Sequence, residues 1–156
     1  MISSICKNYT METIHDICKQ YNITNYTVNT DGSIDVNGLV WLSDKGLTEL
    51  PLNFNRVAVY FSCSSNNLTS LKGCPRWIGG FFNCSVNNLT NLEFSPEYVG
   101  LDFWCTGNKL TNNYCESEIG GNFYTSLKQD GLTEGNYNEF QKLYKRKMIL
   151  DDIFNM

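Results

Sequence analysis

Phe61 to Leu71 reads FSCSSNNLTSL, and 21 residues later Phe82 to Leu92 reads FNCSVNNLTNL. A weaker third copy, FWCTGNKLTNN, runs from Phe103 to Asn113 after the same interval. Self-similarity at a fixed period of this size marks a chain built from stacked supersecondary units. Aligning the copies puts Phe61, Phe82, Phe103 and Phe123 in one column and Cys63, Cys84, Cys105 and Thr125 in the next. Asn66, Asn87 and Asn108 follow, then Leu68, Leu89 and Leu110, then Leu71 and Leu92, then Pro75 and Pro96. Ile78, Val99 and Ile119 close the unit, two of them followed by Gly-Gly. A degenerate earlier copy fits the same register through Val40, Leu42, Leu47, Leu50 and Val57, so five turns are expected, the first and last atypical.

Each copy opens with alternation, the mark of a strand with one buried face. Phe61 and Cys63 are expected to point inward, and Tyr60, Ser62 and Ser64 outward. An Asn recurring at one place serves the turn that leaves the strand: its amide bonds the backbone there, and stacked copies bond one another. Leu68 and Leu71 turn back inward, while Pro75 and Gly79-Gly80 break any helix and return the chain to the next strand. One unit cannot bury its apolar edge alone, so the units stack into a short solenoid.

The pattern F-x-C-x-x-N-x-L-T-x-L-x-x-x-P resembles leucine-rich repeats, whose signature is L-x-x-L-x-L-x-x-N-x-L. It is similar to the short repeats of bacterial secreted effectors. The wording is closer still to a group of repeat proteins in tailed phages and bacteria that read F-x-C-S-x-N-x-L-T-S-L-x-G-C-P-x-x-V-G-G, matched here by Phe61 to Gly80. The resemblance covers Gly32 to Tyr124. It implies an α+β repeat fold, a leucine-rich-repeat-like solenoid with a parallel sheet. The fourth copy departs from it, with Asn113 in place of the second Leu and no Pro, which leaves the path from Asn112 to Glu118 open.

Three segments are expected: an N-terminal cap over 1–38, the solenoid over 39–125 and a C-terminal helical cap over 126–156. In the first, Thr10 caps an amphipathic helix with Met11, Ile14, Cys18 and Tyr21 on one face. Two short strands follow, Tyr26–Val28 and Ile34–Val36, joined at Asp31-Gly32. In the last, Asn138 to Phe154 reads as a helix anchored by Phe140, Leu143, Tyr144, Leu150, Ile153 and Phe154. Its basic run Lys145-Arg146-Lys147 reads as a solvated face.

The chain has 156 residues, 18% of them charged, with a formal net charge of -4. That balance argues against nucleic acid, which calls for clustered Lys and Arg. No apolar run is long enough to span a membrane. The start, MISSICKNYTMETIHD, has no basic region followed by an apolar stretch, so a cytoplasmic protein is expected, in the host cytoplasm if viral. Seven cysteines, an odd number with no C-x-x-C pair, read as reduced thiols. Those in the repeat column read as small apolar core residues rather than metal ligands, because His15 is the sole histidine and zinc prefers closely spaced Cys/His pairs. His15 is read as serving the cap, Asp102 and Glu118 are not forced together by their spacing, and no nucleophile or phosphate-loop motif occurs. No catalytic residue, cofactor or metal is expected, and the chain is not expected to be an enzyme.

The outward strand positions carry the functional reading. Trp41, Tyr60, Phe81, Trp104 and Tyr124 all fall at solvent-facing positions of neighbouring strands, and Trp77 stands just before the inward Ile78. Aromatic residues gathered on one sheet face form an apolar patch of the kind that binds. A terminal helix lying over the face would instead make these rings core. The expected function is an intracellular protein-recognition module with a host or cellular protein as partner. The resemblance to phage repeats implies a role in infection, as a stoichiometric inhibitor of a host defence protein. The alternatives are a self-associating assembly component and, least supported by the residues, an enzyme.

Overall fold

The structure, a computed structural model, describes residues 10–126. Thr10 caps helix α1 (Met11–Gln20), its Oγ1 accepting from the Thr13 amide at 3.2 Å. Ile14 and Cys18, one helical turn apart, are buried, whereas Met11 is exposed, so the buried stripe is shorter than its periodicity suggests. Strands β1 (Tyr26–Val28) and β2 (Ile34–Val36) form an antiparallel hairpin around Asp31-Gly32, with Gly32 at a φ of 79°. Asp31 accepts from the Ser33 amide and hydroxyl, bonds that hold its carboxyl below the usual range.

From β2 onward the chain winds as a parallel β-solenoid. Strands β3 (Leu39–Trp41), β5 (Tyr60–Ser62), β7 (Phe81–Asn83), β9 (Phe103–Trp104) and β11 (Phe123–Tyr124) stack in one wholly parallel sheet. Strands β4 (Phe54–Val57), β6 (Trp77–Ile78), β8 (Tyr98–Val99) and β10 (Glu118–Ile119) stack on β2 in a second, also parallel, with β1 antiparallel at its edge. We call the first the ladder sheet and the second the hairpin sheet.

Two expectations change. Each turn carries two short strands on two sheets, in place of the single parallel sheet of a leucine-rich-repeat-like fold. In place of five turns there are about four, because the five strand pairs among the described residues are joined by four returning loops. The second sheet escapes notice in the sequence because strands such as Trp77–Ile78 have only two residues, too few to show alternation. The hairpin is also more than a cap, since β2 already pairs in parallel with β4. The expected C-terminal helix, with its Lys145-Arg146-Lys147 run, lies outside the described residues.

The core runs the length of the stack between the sheets. Phe61, Phe82, Phe103 and Phe123 stack with centroid separations of 6.1, 4.7 and 5.2 Å. Cys63, Cys84 and Cys105 lie buried in the next column, and Val57, Ile78, Val99 and Ile119 line the hairpin-sheet side. Burying each large apolar side chain is worth roughly 1.5–3 kcal/mol.

Two polar devices hold successive turns in register. Asn87 Nδ2 donates to the carbonyl of Cys84 in its own turn (3.1 Å) and of Cys63 in the turn before (3.0 Å), while its Oδ1 accepts from the Leu68 amide (2.9 Å). Asn66 and Asn108 repeat the arrangement. The amides bond the backbone of the turn that leaves the strand, as expected, and they reach the adjacent turn through its backbone rather than through the neighbouring Asn side chain. Where the fourth copy breaks the pattern, Asn113 occupies the Leu column and Thr125 the Cys column, and the Thr125 hydroxyl donates to Asn113 Oδ1 at 2.7 Å. Two polar intrusions answer each other at the end of the core.

The corner between the sheets is tight. A Cβ at Gly100 would collide with the backbone of Gly79, and one at Gly79 with the carbonyl of Ala58. Neither glycine has a positive φ, so the requirement is close approach of stacked turns rather than a left-handed conformation.

Candidate interaction surface

Period-2 alternation, with Phe61, Phe82 and Phe103 inward, forces their strand neighbours onto the outer face of the ladder sheet. Register places Trp41, Ser62, Asn83, Trp104 and Tyr124 in one outer row and Leu39, Tyr60 and Phe81 in the other. The rings connect along and across these rows. Centroids lie 5.7 Å apart for Trp41–Tyr60, 6.3 Å for Tyr60–Phe81, 5.3 Å for Phe81–Trp104 and 5.5 Å for Trp104–Tyr124, the last pair nearly coplanar at 7°. Small Ser62, fully buried although it faces outward, gives the rings room to lean together.

Five sequence-predicted residues are therefore brought into one continuous ladder. Ring-on-ring contact explains why Tyr60, Phe81, Trp104 and Tyr124 are half-buried on an outer face, while Trp41, at the end strand with one ring neighbour, is 53% exposed. Each contact contributes about 0.5–1.5 kcal/mol beyond area burial. Leu39, Val59 and Leu101, all exposed, extend the apolar surface toward the corner.

Trp77 is elsewhere. It stands on β6 in the hairpin sheet, on the far side of the Gly79-Gly80 corner, stacked with Tyr98 at 5.6 Å and 12°. Arg56 and Tyr98, its neighbours, were not singled out from sequence. The signal was present: Arg56, Trp77, Tyr98 and Glu118 each directly precede the inward column Val57, Ile78, Val99 and Ile119.

Of the groups considered for chemistry, His15 and Asp102 have structural partners. His15 Nδ1 and the Tyr26 hydroxyl lie 2.5 Å apart, joining α1 to the hairpin. Asp102 accepts from the Asn122 amide at 2.7 Å, and Glu118 is exposed on β10. Burial pushes the Cys63 and Cys105 thiols up to about 12 and raises the Cys84 thiol in the same direction. Among the described residues, no group of three or more His, Cys, Asp or Glu is placed to hold a metal ion, and no helix is long and apolar enough to cross a membrane. A cleft of about 600 Å³ between the last two returning loops carries Glu93, Glu97 and Glu116 beside Phe94 and Tyr114, with no histidine in its lining. No protein-family model, curated protein or solved structure matches the chain.

Proposed function

We propose that the chain is a small intracellular protein-recognition module that binds a host or cellular protein through the outer face of the ladder sheet. The observation that carries this reading is the continuous run of rings from Trp41 to Tyr124, flanked by exposed Leu39, Val59 and Leu101. Aromatic side chains dominate binding energy at interfaces, and a ladder fixed by its own stacking loses little side-chain entropy on docking. Sheet geometry makes the surface rigid, and the buried cysteines, shifted toward the neutral thiol, are poor nucleophiles. Binding without catalysis, cofactor or metal is the chemistry these groups support. The likeness of Phe61 to Gly80 to phage repeats favours a stoichiometric inhibitor of a host defence protein, working in the host cytoplasm.

A photo-crosslinking residue at Phe81 tests this. It is expected to couple the chain to one cellular protein, while the same residue at exposed Lys72, on a returning loop, gives none. Equal coupling from both positions contradicts the reading.

Self-association is a second reading, favoured by one observation. Strand β3 ends the ladder sheet with no described strand beyond it and carries exposed Leu39 and Trp41. It predicts a mass in light scattering that rises with concentration and returns to the monomer value in Trp41→Ser.

A further inference from the structure

The outer face of the hairpin sheet carries its own organised side chains. Register sets Asp35, Arg56, Trp77, Tyr98 and Glu118 in one row across β2, β4, β6, β8 and β10. Opposite charges on neighbouring strands usually pair, yet Asp35 and Arg56 do not. Asp35 Oδ1 instead accepts from Asn55 Nδ2 at 2.7 Å and Asn29 Nδ2 at 3.3 Å. The Arg56 guanidinium lies over the Trp77 ring, 3.9 Å from its centroid, and Tyr98 stacks on Trp77 from the next strand.

Among the described residues no carboxylate engages Arg56, which is exposed. Arg76, just before β6, is already used, with Nε and Nη2 at 2.8 and 2.7 Å from Glu97 Oε1. The face therefore holds one guanidinium fixed by cation–π contact and unclaimed by an acid, beside two stacked aromatic rings.

We infer that this row is a second docking site, separate from the ladder, and that its partner is a protein segment presenting an Asp or Glu carboxylate next to an apolar side chain. A guanidinium fork matches a carboxylate with two parallel hydrogen bonds, and Arg, Trp and Tyr are the side chains enriched at binding hot spots. Stacking on Trp77 orders Arg56 before any partner arrives, which lowers the entropy cost of binding. A single carboxylate fits better than a nucleic-acid backbone. Asp35 and Glu118 stand at the two ends of the row and the chain is net -4, so a dense line of phosphates is repelled.

The test is selection of a random linear peptide library against the wild-type protein, followed by affinity measurement on variants. The selected peptides are expected to share an acidic residue beside an apolar one. Their affinity is expected to fall about tenfold or more in Arg56→Gln, to recover partly in Arg56→Lys, and to stay unchanged in Tyr60→Ser/Trp104→Ser. Arg56 is exposed, so the folded state of Arg56→Gln is readily verified by far-UV circular dichroism. Peptides lacking an acid, or bound equally by Arg56→Gln, overturn the inference. Peptides lost only in Tyr60→Ser/Trp104→Ser overturn it while supporting the ladder reading. Tighter binding of a single-stranded DNA oligomer, lost in Arg56→Gln, overturns the choice of a protein partner.

Discussion

Asn87 shows how one side chain holds two turns together: its amide donates to backbone carbonyls of its own turn and of the turn before, and its carbonyl accepts from the turn before. Removing it leaves the buried Leu68 amide without that acceptor, at about 1–3 kcal/mol, while the Cys63 and Cys84 carbonyls keep their bonds from Asn66 and Asn108. Asn87→Ala is expected to lose roughly 1–3 kcal/mol in urea unfolding, well above the effect of replacing exposed Asn91 in the neighbouring loop. The cysteine column makes a pH prediction. Folding raises the Cys63 and Cys105 thiols from 9.0 to about 12, so between those values the unfolded chain releases protons that the folded chain keeps. Stability from these groups is complete below pH 9 and is lost as pH rises toward 12. The urea midpoint is expected to fall over that window, and to fall less in Cys63→Ala/Cys105→Ala. Both columns were legible in the sequence because repetition isolates them. What repetition could not reveal was that each Asn reaches the backbone of the adjacent turn, a relation fixed only by stacking.

At the scale of elements, the corner and the last turn carry the sharpest tests. A methyl at Gly100 meets the backbone of Gly79, which cannot yield as a flexible side chain would, so Gly100→Ala is expected to cost about 1–3 kcal/mol. Gly38 sits at the open end of the same corner with nothing near its missing Cβ, and Gly38→Ala is expected to be neutral or slightly stabilising. Thermal unfolding of the two variants side by side separates crowding from backbone freedom. In the last turn, Asn113→Leu or Thr125→Cys alone removes the hydrogen bond between the two side chains. Each is expected to lose about 1–3 kcal/mol. The double variant is expected to lose less than the sum, as contacting residues do in a double-mutant cycle. The helix, the hairpin and the ladder-sheet strands were readable from capping, turn and alternation signals. The hairpin sheet was not, because two-residue strands such as Tyr98–Val99 leave no period, so nothing in the sequence set Trp77 on a sheet of its own.

The whole molecule presents two different outer faces on either side of a glycine corner, over one shared core. That arrangement separates stability from recognition. Rings such as Phe103 hold the stack together from inside, whereas Trp104, their neighbour in sequence, stands half-buried in the ladder outside. The ladder was legible as a set of outward positions; its continuity was not, since the ring contacts cross between two rows and depend on the small residues Ser62 and Asn83 between them.

The most direct measurement is capture from lysate of the source cells, or of the host if the gene is viral, with wild type beside Tyr60→Ser/Trp104→Ser. Both proteins are first shown by circular dichroism to be folded. The account predicts that one protein is retained by the wild type and lost with the variant, while the variant gives up far less stability than the roughly 3–5 kcal/mol of a core aromatic such as Phe103→Ala. Retention of the same protein by both, or unfolding of the variant on the scale of Phe103→Ala, would contradict it: the rings would then belong to the core rather than to an interface.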